Sequence, residues 1–546
     1  MKKPSKINKA AVASLVLALS VPAVAAASDS QEDTSYTPVR EIAEKLNVQV
    51  RWDQSAHTIT LNKGDQTLVI TPDETQGVLN GKTVQVGGSV RLVAGRTLVP
   101  AAFLSGIFGE ASASSGSLND SSDSDNKADS FFKEFQAGNG TKAADYMSPA
   151  LKKALPVQAL NMLWSNYEQL YGKAVSGEPL KTEQDNAVHH NVTYSVQMGQ
   201  IPLNITLRLS TDGLVDDMLI TPASAAGYQK PAYDNPTVYT EQEIRIGTGD
   251  FALPGTLTLP QGDGPFPAVV LVHGSGPQDR DTSTGAAKPL RDLAVGLAAK
   301  GIAVLRYDKV TYEHTFKIAG DPKLTLKRET VDDAISAVNL LKQTPKIDAE
   351  HVFVAGHSQG GFAMPLIIDA DQNHDITGAI LLSGPSSSFA DTLIEQQQEL
   401  VARIKELGQD STPYEQQAAV WTGIANLVNN PQYTVDHMPE NFPLSPAYWW
   451  FEQKNYKPTV LAQKQHTPML VLQGENDWQV TMKQFKQWES TLKDRSDVEF
   501  KSYPNMTHLL ANYDGISTGA EYVKPSNVSS ELISDMAAWI QRLNKV

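Results

Sequence analysis

The 546-residue chain contains no cysteine. That absence removes disulfides, thiolate metal sites, cysteine nucleophiles and lipoprotein anchoring together, so stability must come from packed cores. Positive charge is scarce as well: 46 lysines and arginines face 61 acids, giving a formal charge of -15. No basic cluster follows the extreme amino terminus, and bulk electrostatics argues against nucleic acid or an anionic membrane as partner. Long apolar runs are also missing. The one candidate, Ala10 to Val21, is too short to span a bilayer. It follows Lys2, Lys3, Lys6 and Lys9 and precedes Ala23-Val24-Ala25-Ala26-Ala27. This is the pattern of a secretory signal over residues 1–27. Its removal leaves no membrane span and takes the formal charge from -15 to -19.

What remains is long enough for several cores. Residues 36–109 read as a small α+β unit, with a helix over Thr37 to Leu46, short strands at Val48 to Trp52 and His57 to Leu61, and a tight turn at Asn80-Gly81. Residues 110–127, rich in serine and aspartate, read as a linker. Residues 128–226 place aromatic and aliphatic residues at helical spacing (Phe131, Phe135, Leu163, Trp164, Tyr167) before three strand-like runs, which suggests a second small α+β domain. From 240 to 546, strands and helices alternate, implying a largely parallel sheet covered on both faces. That rhythm breaks between about 385 and 465, where helical periodicity and the aromatic run Tyr448-Trp449-Trp450-Phe451 predict a cap. Those aromatics would line an acyl pocket or form the cap's own core.

The chemistry concentrates in the last domain. Gly356-His357-Ser358-Gln359-Gly360 follows the apolar run Val352 to Ala355 and precedes a helical stretch. A G-x-S-x-G turn between strand and helix holds the serine in a strained conformation at the carboxyl edge of a sheet. Further on, the strand Pro468 to Leu472 ends in Gln473-Gly474-Glu475-Asn476-Asp477, and the strand Val498 to Tyr503 leads to His508. A serine hydroxyl attacks well only when an imidazole takes its proton, and the imidazole needs a carboxylate to set its tautomer. Ser358 is therefore the candidate nucleophile, His508 the base and then acid, and Asp477 the orienter, with Glu475 as a second candidate acid. The oxyanion would be held by the backbone N–H of Gln359 and by one from Ser275 or Gly276, in the turn His273-Gly274-Ser275-Gly276-Pro277. His273 reads as shaping its turn by hydrogen bonding, and His357 as packing or hydrogen-bonding locally within the serine turn. The other histidines, His189 and His314 among them, read as surface or loop residues.

Several longer segments carry a resemblance. Leu253-Pro254-Gly255-Thr256-Leu257, His273 to Asp281, Val304-Leu305-Arg306-Tyr307-Asp308-Lys309 and Gln473 to Val480 together resemble capped bacterial α/β-hydrolase carboxylesterases. The fold class this implies is an α/β-hydrolase fold with a helical cap, preceded by two small α+β domains. The resemblance also implies hydrolysis of a small-molecule ester through an acyl-serine, with no metal or organic cofactor. Gln359 stands where this fold commonly has leucine or methionine, yet the oxyanion uses only the backbone N–H there. Residues 36–109 resemble the copper amine oxidase-like N-terminal domain of exported bacterial proteins. With one histidine, His57, and no cysteine, the segment offers no copper ligand set, and it reads as a binding or spacer module facing the cell envelope. Residues 128–226 are similar to a nuclear-transport-factor-like domain. Two other functions remain open at this level. One is a serine aminopeptidase that anchors a free amine on Glu452 or Glu475; the other is an envelope-binding protein with an inactive hydrolase fold.

Overall fold

The most β-branched runs of the chain form the centre of its largest sheet. The computed structural model describes residues 36–544 except 40–42, 44–47, 54–57, 65, 73, 87–89, 94–95, 101–102, 109–120, 200 and 224–226. The stretch 1–27, where a secretory signal is expected, and His57 lie outside the described residues. Eight strands share the large sheet: β1 (Tyr239–Ile246), β2 (Leu253–Pro260), β3 (Phe266–Val272), β4 (Ala303–Tyr307), β5 (Ile347–His357), β6 (Ile376–Leu382), β7 (Met469–Gly474) and β8 (Val498–Tyr503). They lie in the order β1-β2-β4-β3-β5-β6-β7-β8. Strand β2 is antiparallel to both β1 and β4, and the other neighbours are parallel.

Parallel strands need crossover connections, and their helices cover both faces. Alternate residues of β3 show this directly. Val270 and Val272 join one core with Ala337, Val354 and Phe362, whereas Val269 and Leu271 join another with Leu293, Phe353 and Trp539. All the parallel strands therefore end along one edge, where loops are free to carry chemistry. Between β6 and β7 the chain builds a cap. Helix Phe389–Glu406 starts on Ser388, whose hydroxyl accepts from the N–H of Asp391, and it packs against helix Thr412–Asn429.

Residues 121–222 form a separate core. Helices Ser121–Gln136, Pro149–Ala154 and Val157–Tyr171 accompany a four-stranded antiparallel sheet made of Leu180–Asp185, His190–Gln197, Pro202–Leu209 and Val215–Pro222. Phe131, Phe135, Trp164, Ile205 and Leu207 fill the space between them. The first helix begins inside the stretch expected to be linker. Serine and aspartate are favoured in a first helical turn, where no apolar periodicity is required to mark it.

A buried charge cluster fastens this accessory domain to the large one. Arg208 Nε donates to Glu313 Oε2 at 3.1 Å, and Asp217 accepts the backbone N–H groups of Phe316 and Lys317, each at 2.9 Å. His189 lies between Glu313 (2.6 Å) and Asp216 (3.2 Å), and the Lys317 ammonium also bonds Asp216. The expectation that His189 and His314 are surface or loop residues is thus corrected. Both are buried, because the elements around them meet only in the tertiary fold. His189, Asp216 and His314 are close enough together to hold a cation, but Asp216 is already bonded by Lys317 and His189, and Glu313 by Arg208 and His189.

Burial opposes a charged His189, yet its bonds to Asp216 and Glu313 outweigh that cost and raise its pKa. Stability from a raised histidine is complete below its unfolded value of about 6.5 and fades as pH climbs through the higher folded value. Between pH 6 and 9 the thermal midpoint should therefore fall more steeply in the wild type than in His189→Gln. At low pH the variant should be weaker by the worth of a charge-assisted hydrogen bond, about 1.5–3 kcal/mol. Parallel profiles would show that His189 is neutral in the folded protein.

The amino-terminal unit has two antiparallel sheets. One has five strands between Gln49 and Gln85, and the other pairs Tyr36–Pro38 and Arg91–Val93 with Arg96–Pro100. Ile59, Leu61, Leu68 and Ile70 are buried in its core. Asn80 and Gly81, both at positive φ, make the turn between the last two strands of the larger sheet. Thr37 and Pro38 belong to a strand and not to the expected helix start. Proline lacks an N–H, and a short edge strand tolerates that loss. Among the described residues no helix is long and apolar enough to cross a membrane.

Candidate active site

Strand β5 delivers Ser358 to the carboxyl edge in a conformation that serine seldom adopts. Its φ is 53° and ψ -116°, and helix Gln359–Ala370 starts at the next residue. The turn is this tight because the flanking glycines allow it. A Cβ on Gly356 would come within 2.4 Å of the Gly360 backbone, and one on Gly360 within 2.6 Å of the Val272 carbonyl oxygen. The N–H of Ser358 donates to Leu382 O at 2.9 Å, tying the turn to β6.

Asp477, just past β7, is fully buried. Its Oδ1 accepts the backbone N–H groups of Gln479 (2.8 Å) and Val480 (3.0 Å), and its Oδ2 lies 2.8 Å from His508 Nδ1. Burial pushes the carboxyl pKa up, but His508 and the two N–H groups outweigh it, and the group is held below the usual carboxylate range. An ionised carboxylate only accepts, so Nδ1 of His508 carries the proton and Nε2 presents its lone pair. His357, the neighbour of Ser358, lies 2.8 Å through Nε2 from the His508 carbonyl and packs against the His508 ring. Burial first, and then the nearby His508, drop the His357 pKa to about 3. A neutral His357 therefore clamps the loop that carries His508 to the serine turn. Glu475 is exposed and accepts from Ser502, away from this group.

Ser275, Gly276 and Gln359 lie beside the serine. Among the described residues, no protein acceptor takes the backbone N–H of Ser275 or Gln359. Underneath them sits a network that sequence reading missed. Lys309 Nζ donates to Gly274 O (2.9 Å), Glu329 Oε1 (2.6 Å) and Gln359 Oε1 (3.0 Å), and the Trp449 indole of the cap donates to Glu329 Oε2 (2.6 Å). Lys309 and Glu329 are both nearly inaccessible to solvent. Lys309 closes one of the segments that carry the family resemblance, but its contacts with the serine turn are all long-range. Trp449 and Trp450 line a cavity next to Gln359 and Ser275, whereas Phe451 packs on Phe442 and Tyr433 inside the cap. The aromatic run is therefore divided between the wall of that cavity and the cap's own core.

Residues 265–513 match the family model described as serine aminopeptidase, S33, a span that runs from the start of β3 to just past His508. The C-terminal domain has the α/β-hydrolase fold. Residues 20–117 match the copper amine oxidase N-terminal domain. Over 422 residues the chain is 29% identical to Esterase EstD of Thermotoga maritima, covering 76% of this chain and 95% of that protein. Two solved structures align with the hydrolase. Est1E from Butyrivibrio proteoclasticus is 18% identical and covers 56% of this chain and 99% of its own, with a TM-score of 0.35. A puromycin-hydrolyzing peptidase of Mycobacterium tuberculosis is 17% identical and covers 65% of this chain and 46% of its own, with a TM-score of 0.36.

Proposed function

We propose that the protein is an exported carboxylesterase that cleaves esters of short to medium acyl chains through an acyl-serine. The chain is a serine ester hydrolase; its similarity to Esterase EstD extends over most of both proteins. The observation that carries the mechanism is the buried His508–Asp477 pair, joined through His357 to the strained turn that bears Ser358. In the proposed mechanism His508 Nε2 takes the proton of Ser358 as Oγ attacks the ester carbonyl. The N–H groups of Ser275 and Gln359 receive the oxyanion, where one such donor is worth about 2.7–4 kcal/mol. Collapse of the tetrahedral adduct breaks the ester C–O bond, and the departing alcohol takes the proton from His508. Water, deprotonated by the same imidazole, then releases the acid and restores Ser358. Export is supported by the basic and apolar pattern of residues 1–27; on this reading the amino-terminal domain would face the cell envelope.

The aminopeptidase reading needs an acid to hold a free amine. Glu452 and Glu475 are exposed, and Glu329, the one acid lining the cavity among the described residues, is engaged by Lys309 and Trp449. Turnover of p-nitrophenyl butyrate should therefore far exceed that of a matched aminoacyl p-nitroanilide, and Ser358 should be labelled by a fluorophosphonate. Preference for the anilide would identify a peptidase. Neither turnover nor labelling would identify an inactive hydrolase fold that serves in binding.

A further inference from the structure

The cavity beside the oxyanion turn has a volume of about 510 Å³. That is far more than an acetyl group fills and falls within the range of pockets that enclose drug-sized ligands. Three parts of the molecule wall it. Ser275, Gly276 and Gln359 bring the hydrolase's oxyanion donors to its edge, and the cap adds Phe389, Trp449 and Trp450. The third wall comes from the accessory domain: Pro156, Ala159 and Leu163 on helix Val157–Tyr171, and Leu219 and Ile220 on its last strand. Those five residues are apolar, while Lys153, Asn166 and Tyr167 of the same domain add polar groups to the lining.

The accessory wall is fixed in position. The hydrolase segment 311–320 contributes Thr311, Phe316 and Ile318 to the cavity. The same segment carries the Glu313 and Lys317 side chains and the N–H groups through which Arg208, His189, Asp216 and Asp217 hold the accessory domain. One stretch of chain thus serves as both cavity wall and docking surface. A carbonyl whose oxygen sits between Ser275 and Gln359 has its acyl carbon at Ser358, and the acyl chain meets the apolar cavity adjoining those donors. We infer that the accessory domain forms one side of the acyl-binding site and selects medium-length apolar acyl groups over acetyl. This inference rests on the esterase reading and names its substrate class.

The test is the ratio of kcat/KM for p-nitrophenyl octanoate to that for p-nitrophenyl acetate, a quantity that does not depend on the fraction of folded enzyme. Wild type should favour octanoate. Ala159→Phe, which fills the cavity from the accessory side, should lower the ratio at least tenfold, within the range of about 10–200-fold that one methylene in an apolar pocket commands. Leu219→Ala, which enlarges it, should move the preference toward longer chains in a series extended to the laurate. Ratios within twofold of wild type in both variants would overturn the inference, as would a change seen only when the alcohol half of the ester is varied. A wild type that hydrolyses none of these esters would instead sink the esterase reading and this inference with it.

Discussion

Ser358→Ala is expected to lower kcat for p-nitrophenyl butyrate by about 10⁶-fold, the scale on which a triad serine acts. The reason is that no other hydroxyl is placed at this turn. The positive φ of Ser358, the close passage of Gly356 and Gly360 and the bond to Leu382 O together aim one side chain out of the sheet edge. Alanine keeps the backbone and its hydrogen bonds, so the thermal midpoint should stay within a few degrees of wild type. The residual rate would then report the oxyanion donors and substrate binding alone. A loss smaller than tenfold would mean that another group attacks the ester.

Asp477→Asn should cost about 10⁴-fold in kcat with little change in KM. The asparagine oxygen can still accept from Gln479 and Val480, so the loop keeps its shape. The new amide nitrogen, however, would face His508 Nδ1 with a donor, which forces the imidazole proton onto Nε2 and removes the lone pair that Ser358 needs. The same amide would oppose the Gln473 side-chain N–H, which lies 3.3 Å from Asp477 Oδ2. Rates on p-nitrophenyl butyrate measured beside a circular dichroism melt separate the tautomer effect from unfolding. A loss under 10²-fold with an unchanged melt would remove Asp477 from the mechanism.

The parts of this molecule that could be read in advance are those encoded locally. Strand β5 announces itself as Val352-Phe353-Val354-Ala355, and the glycines after it mark a turn whatever the rest of the chain does. Asp477 and His508 each follow an apolar strand, and their order along the chain matches the order in which β7 and β8 reach the sheet edge. Their 2.8 Å contact follows from that arrangement. What could not be read depends on surfaces that meet only after folding. Arg208, Asp216 and Asp217 lie on accessory strands among ordinary polar residues, and nothing in their spacing shows that Glu313 and Lys317, about a hundred positions away, complete their charges. Ala159 and Leu219 look like plain core positions for the same reason. Their role in the cavity arises from the docking of two domains and leaves no periodic signature in either.

The Lys309 ammonium holds the carbonyl of Gly274, the side chain of Gln359 and, through Glu329, the Trp449 indole. Lid and catalytic floor are consequently not interchangeable parts. Grafting a lid from another enzyme would strip Glu329 of its indole donor and loosen the Gln359 side chain, whose backbone N–H is the proposed oxyanion donor. New substrate choice in this scaffold is thereby more readily reached through walls that do not bond that lysine, such as the helix bearing Ala159.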